Sequence, residues 1–185
     1  MALTLIKEDG TGLTDANTYA SVADGDAYHE AHLYATAWTG ATTGNKEAAL
    51  AMATRLIDTE FQFNGFKVGS SQALQWPREG CPDPDKGNMV RSPLSWLRGE
   101  NYVDSDTVPK GVVNATCELA RELLVLDRTG APAGEGISRQ RLADSSEITY
   151  NKKDRRPVVS HVAMAMLCKY GARLKSAGAV RVVRV

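Results

Sequence analysis

Residues 48–61 read AALAMATRLIDTEF. Ala49, Met52, Ala53, Leu56, Ile57 and Phe61 recur at steps of three and four, which puts them on one side of an α-helix. Thr43 or Asn45 caps this helix. Glu47 falls in its first turn, where a negative charge meets the positive end of the helix dipole. The alanines on the buried side permit a neighbouring helix to come close.

The flanking sequence supplies three more helices. Upstream, Ser21 and Asp24 form a capping-box-like pair ahead of VADGDAYHEAHLYAT (22–36). Val22, Ala27, Tyr28, Ala31 and Leu33 give that helix a mixed stripe, weakened by Gly25, and it ends around Ala35–Thr39, where Trp38 precedes Gly40. Downstream, Pro109 opens a helix capped by Asp106 or Thr107. Its stripe is Val112, Thr116, Leu119, Leu123 and Leu126, widened by Ala115, Ala120 and Leu124, and it stops before Gly130. Pro157 opens the last helix, PVVSHVAMAMLCKYGARLK (157–175), with Val159, Val162, Ala163, Met166 and Tyr170 inward.

Between these helices the pattern breaks. Residues 62–107 are rich in Gly, Pro, Asp and Ser, and a gap of that length points to function or to an element of its own. Ser92-Pro93 opens one short helical turn, PLSWLRG. Trp76 and Trp96 are the expected anchors of this loop, with Pro77 stiffening its exit and Arg78 reaching for an acidic group. Burying an indole is worth on the order of 1.5–3 kcal/mol, which offsets part of the loop's closure entropy. GAPAGEG (130–136) reads as a hinge. Residues 137–150 read as a β-hairpin with Arg139 and Arg141 on its first strand and Ile148 and Tyr150 on its return. The sequence closes on AGAVRVVRV, a strand in which Arg181 and Arg184 interleave with Val180, Val182 and Val183. Its unpaired backbone suits a neighbour's sheet edge.

The fold class expected from this pattern is mainly α: a four-helix body, a long ordered loop, a hairpin between helices three and four, and an extended C-terminal strand. Residues 1–185 form a single domain, with a helical part to 130, a hinge and hairpin over 131–156, and the last helix and arm over 157–185.

The 185 residues carry no net charge, but the charge is unevenly placed. Residues 1–138 hold eleven Lys and Arg against nineteen Asp and Glu, a net of −8; residues 139–185 hold eleven against three, a net of +8. Such asymmetry suits a charged partner or a second copy whose acidic side meets the basic one. No apolar run is long enough to cross a membrane, and the start, MALTLIKEDG, lacks the features of a signal peptide. Cys81, Cys117 and Cys168 make no CxxC pair and suit free thiols in a reducing compartment. Cys117 and Cys168 read as small core residues, Cys81 as a loop residue open to solvent.

A search for chemistry finds none. In His29-Glu30-Ala31-His32 the histidines are three apart, whereas the zinc-protease pattern needs four, so both read as polar surface residues. His161 has no partner constellation for base catalysis beyond Ser160. Gly10-Thr11-Gly12 lacks the Gly-Lys-Ser/Thr ending of a phosphate loop. Asp58 and Glu60 point to different sides of their helix. Asn114-Ala115-Thr116 matches a glycosylation sequon but lies mid-helix. Catalytic, metal and cofactor-binding residues are expected to be absent.

One resemblance covers residues 15–126 in motif order. Its pieces are Asn17-Thr18-Tyr19-Ala20-Ser21-Val22, Ala27-Tyr28, Ala37-Trp38, Lys46-Glu47-Ala48-Ala49-Leu50 and Ala53-Thr54-Arg55-Leu56-Ile57-Asp58. They continue with Leu74-Gln75-Trp76-Pro77-Arg78-Glu79-Gly80, Val108-Pro109 with Val112 and Val113, and Ala115-Thr116-Cys117-Glu118-Leu119-Ala120. The ordered set resembles the head-to-tail adaptor (head completion, or neck) proteins of tailed bacteriophages, whose relatives are catalogued as a DnaT-like single-stranded-DNA-binding family. The resemblance implies a structural virion protein at the head–tail junction, assembled in the host cytoplasm. It implies a ring, commonly a dodecamer, that binds the portal protein and the next neck or tail protein while genomic DNA passes through without sequence-specific contact. Arg139, Arg141, Ile148, Tyr150 and residues 180–184 would then form the interface. The alternative is a primosome-like protein that binds single-stranded DNA through Arg139, Arg141, Lys152, Lys153, Arg155 and Arg156; only Tyr150 and Tyr170 lie among these charges as stacking aromatics.

Overall fold

The computed structural model describes residues 3–85, 102–130, 139–142, 146–149 and 157–174. Ser21 starts the first helix as its side chain dictates. Its hydroxyl accepts from the Asp24 N–H at 3.1 Å while the Asp24 carboxylate accepts from the Ser21 N–H at 2.7 Å. The resulting α1 (Val22–Glu30) ends before Leu33, which is 91% exposed instead of inward, and a separate short helix, α2 (Thr36–Thr39), follows. Gly25 seats the Trp38 indole: a Cβ at this position would lie 2.3 Å from Trp38 Cζ2.

The Thr42 hydroxyl, and neither Thr43 nor Asn45 as expected, caps α3 (Thr43–Glu60) by accepting from the Asn45 N–H. Ala49, Leu50, Ala53, Thr54 and Ile57 are buried along it. α4 (Lys110–Leu123) starts after Pro109 and buries Val112, Ala115, Thr116, Leu119 and Ala120, spaced as its stripe requires. α3 packs on α4, α4 packs on α5 (His161–Leu167), and α1 lies across α3 and α4. The Arg128 guanidinium ties the end of α4 to the start of α5. It donates to the Val158 and Pro157 carbonyls and pairs with Glu122.

The expectation of a mainly α, four-helix body is overturned. The described residues form five helices and six short strands in three two-stranded antiparallel sheets, a mixed α/β arrangement. Phe61 belongs to β1 (Phe61–Phe63), where Phe61 and Phe63 are buried and Gln62 is exposed. This strand pairs with β6 (Gly171–Arg173) in the register Phe61↔Arg173, Gln62↔Ala172, Phe63↔Gly171. The last helix is therefore short at both ends. The Ser160 hydroxyl caps it by accepting from the Ala163 N–H, leaving Pro157 outside, and the chain needed for β6 leaves it after Leu167. Gly171 permits this pairing, since a Cβ there would lie 2.4 Å from the Gln62 carbonyl oxygen.

Residues 62–107 are correspondingly more structured than a loop. β2 (Phe66–Lys67) pairs with β3 (Arg78–Glu79), entered through Gly65 at φ 74°, and Pro82 bridges to Tyr102. β4 (Arg139–Leu142) and β5 (Ser146–Thr149) make the expected hairpin. Near the N-terminus the buried Glu8 carboxylate organises a turn, accepting from the N–H groups of Gly10, Gly12 and Leu13. The turn at 93–99, Trp96, Tyr150, residues 131–136 of the hinge and the C-terminal strand 177–185 lie outside the described residues. Among the described residues no helix is long and apolar enough to cross a membrane.

Candidate functional site

Trp76 is fully buried. Its ring meets Phe63 of β1 at 5.6 Å and Tyr170 at 6.0 Å between centroids, both edge to face. Pro77, joined to Trp76 by a cis peptide bond, is also buried, and its carbonyl accepts from Gln72 Nε2. Arg78 is 6% exposed and, among the described residues, makes no ion pair with a carboxylate. Its guanidinium donates to the carbonyls of Asn64, Gly65 and Gln75 and to the Gln75 side chain. A planar fork with five donors can hold that many acceptors together, which an ammonium cannot.

The loop is fixed from beneath by two residues that the sequence did not single out for this role. The Tyr19 phenol donates to Asp58 Oδ1 and accepts from the N–H groups of Gln75 and Trp76; Asp58 Oδ2 accepts from Gln75 N–H as well. Burial pushes the Asp58 carboxyl up to about 6, against the hydrogen bonds from Tyr19 and Gln75 that hold it down. Burial raises the Tyr19 phenol as well, with the adjacent Asp58 carboxylate adding to it. The available signal was spacing: Thr54 and Asp58 lie four apart on the inward side of α3, and Thr54 Oγ1 accepts from Tyr19 N–H.

The histidines also depart from expectation. His29 is 2% exposed instead of on the surface, with Nε2 3.1 Å from the Cys117 carbonyl and, among the described residues, no hydrogen-bond partner at Nδ1. His32 Nε2 lies 3.7 Å from Glu118, a buried carboxylate that also pairs with Arg121 and Tyr28. Burial lowers the His29 pKa. Among the described residues no group of three or more His, Cys, Asp or Glu side chains is arranged to hold a metal ion.

The thiols reverse two expectations. Cys81 is buried against the Tyr170 carbonyl, whereas Cys168 is exposed because it caps the end of the shortened α5. Cys117 is buried, and burial pushes its thiol up to about 12.

At the basic end, Arg139 is exposed at the start of β4; in the backbone register of the hairpin it stands opposite Thr149, Gln140 opposite Ile148 and Arg141 opposite Glu147. Tyr170 is 8% exposed in the core and offers no open ring face. Val180, Arg181, Val182, Val183 and Arg184 lie outside the described residues, as do Lys152, Lys153, Arg155 and Arg156.

A family model described as "Putative DnaT-like ssDNA binding protein" matches residues 3–185. No curated protein and no solved structure matches the chain.

Proposed function

We propose, because this chain belongs to the putative DnaT-like ssDNA-binding family, that it binds single-stranded DNA through the phosphate backbone, with the basic segment from Arg139 onward as the contact surface. The observation that carries this reading is the family match over almost the whole chain. The charge distribution agrees with it: eleven cationic side chains against three anionic ones over residues 139–185 suit a polyanion. With Tyr170 in the core, the described basic residues contribute no stacking surface, so the binding is electrostatic and steep in salt.

Anisotropy of a labelled oligothymidine across a salt series tests this. Each phosphate contact contributes about 0.7 to the slope of log K against log salt on single strands, so Arg139→Ala/Arg141→Ala flattens it by about 1.4. No binding at low salt would overturn the reading.

A second reading is favoured by the hairpin. Among the described residues β4 and β5 form a two-stranded sheet, and an isolated two-stranded hairpin is marginal in water. A neighbouring copy would give it a packing partner, and the opposite net charges of residues 1–138 and 139–185 suit side-by-side contact. On this reading the protein is a structural virion component of the phage neck, a non-catalytic ring under the portal that extends the DNA channel and docks the next neck or tail protein. Electron microscopy of the protein mixed with portal, showing a ring at the portal exit and no single-stranded-DNA affinity, would favour it over the first.

A further inference from the structure

We propose that His29, His32 and Glu118 form a proton-operated latch that holds α1 and α2 against α4 at neutral pH and lets them part when His29 takes up a proton. Two interlocked contacts make the latch. His29, on α1, donates from Nε2 to the Cys117 carbonyl of α4, and its ring lies 5.0 Å from that of Trp38 on α2. His32, just past α1, faces Glu118 on α4 and accepts the Tyr34 N–H on Nδ1, which shapes the turn leading to α2.

In the neutral tautomer that donates to Cys117, His29 Nδ1 carries only a lone pair, and its lack of a partner is tolerable. The next proton goes to this same Nδ1. It creates a buried cation whose new N–H meets no acceptor. The charges around it divide. On its own helix Asp26 favours the cation, just past that helix a protonated His32 opposes it, and the Tyr28 ring stands nearly perpendicular to the imidazole with centroids 4.9 Å apart. From α4, Glu118 favours it, but that carboxylate is already engaged by Arg121 and Tyr28, and Arg121 itself opposes it. From α3, Lys46 adds positive charge above Trp38 and bridges to Asp26, drawing on the same carboxylate. The cation is therefore better accommodated by water, which it reaches only when α1 lifts from α4.

Amide exchange of the full chain at about pH 7.5 and about pH 5.0, corrected for intrinsic rates, tests this. Protection over residues 22–30 falls about tenfold more than protection in α3, and His29→Gln, which keeps an N–H for Cys117, removes the difference. An equal fall in both helices, or an undiminished difference in His29→Gln, overturns the proposal. Should that variant not fold, the His29 imidazole titration of the unaltered protein decides by NMR. A His29 midpoint below the ordinary imidazole value of about 6.5 supports the latch; one equal to or above it overturns it.

Discussion

The Tyr19 phenol donates to the Asp58 carboxylate across 2.5 Å, joining the segment before α1 to the last turn of α3. The same oxygen receives the Gln75 and Trp76 N–H groups at 3.0 and 3.3 Å, so one hydroxyl holds three segments together. Tyr19→Phe leaves the Trp76 N–H and one Asp58 oxygen without that partner in a buried setting. The expected cost is about 1–3 kcal/mol, read from urea denaturation as a lower midpoint with an unchanged slope.

Asp58 gives the protein a pH dependence of known sign. Its folded pKa of about 6 lies above the ordinary 3.8, so the folded state holds the proton more tightly than the unfolded chain. Its contribution is fully present below about pH 4, declines as pH rises towards 6, and is constant above that. A shift of this size corresponds to at most about 3 kcal/mol. Stability of the unaltered protein minus that of Asp58→Asn, measured from pH 4 to 7, should fall with pH; a flat difference would contradict the assignment.

Trp76→Ala removes a fully buried ring from between Phe63 and Tyr170. The sequence presented Trp76 as an anchor of the 62–107 loop. The structure places the ring in the same core as α3 and α4, so the expected loss is global, about 3–5 kcal/mol, and a single cooperative transition should shift as a whole. Selective proteolysis of residues 64–80 with an unchanged unfolding midpoint would restore the local view.

Gly171→Ala drives a methyl into the Gln62 carbonyl, a backbone atom that cannot swing aside. Separation of β1 from β6 should cost about 1–3 kcal/mol, with faster amide exchange at Gln62–Asn64 as the local signature.

Thiol labelling of the folded protein should proceed at one of its three cysteines. Cys168 is exposed, while Cys81 and Cys117 are buried with thiols raised by desolvation. Mass spectrometry after brief maleimide treatment should find the adduct at Cys168 alone; early modification of Cys81 would show that the Trp76 loop opens readily.

What could be read from the sequence was what local physics specifies. The stripe of α3, the capping box at Ser21, the α4 stripe and the hairpin around Arg139 and Ile148 each rest on residues a few positions apart, and each element is present. The β1–β6 ladder could not be read, because three-residue strands 110 positions apart show no period and Phe61 also satisfies the helical one. Burial of His29 escaped for a related reason. Its helix has only a weak apolar stripe, and what covers the imidazole is Trp38 and the backbone of Cys117, neither of which leaves a mark near position 29. Trp76, Pro77 and Arg78 could be picked out as a unit from their composition, but the partners Tyr19, Asp58 and Tyr170 lie in distant segments.

The Tyr170 ring against Trp76 has a consequence for biosynthesis. As the polypeptide leaves the ribosome, the first 160 residues include α3, α4 and the indole but neither the ring that packs on it nor the strand that pairs with β1. The nascent chain therefore carries an uncovered aromatic surface until Tyr170 has emerged, some ninety residues after the indole, and its native centre is sealed only then.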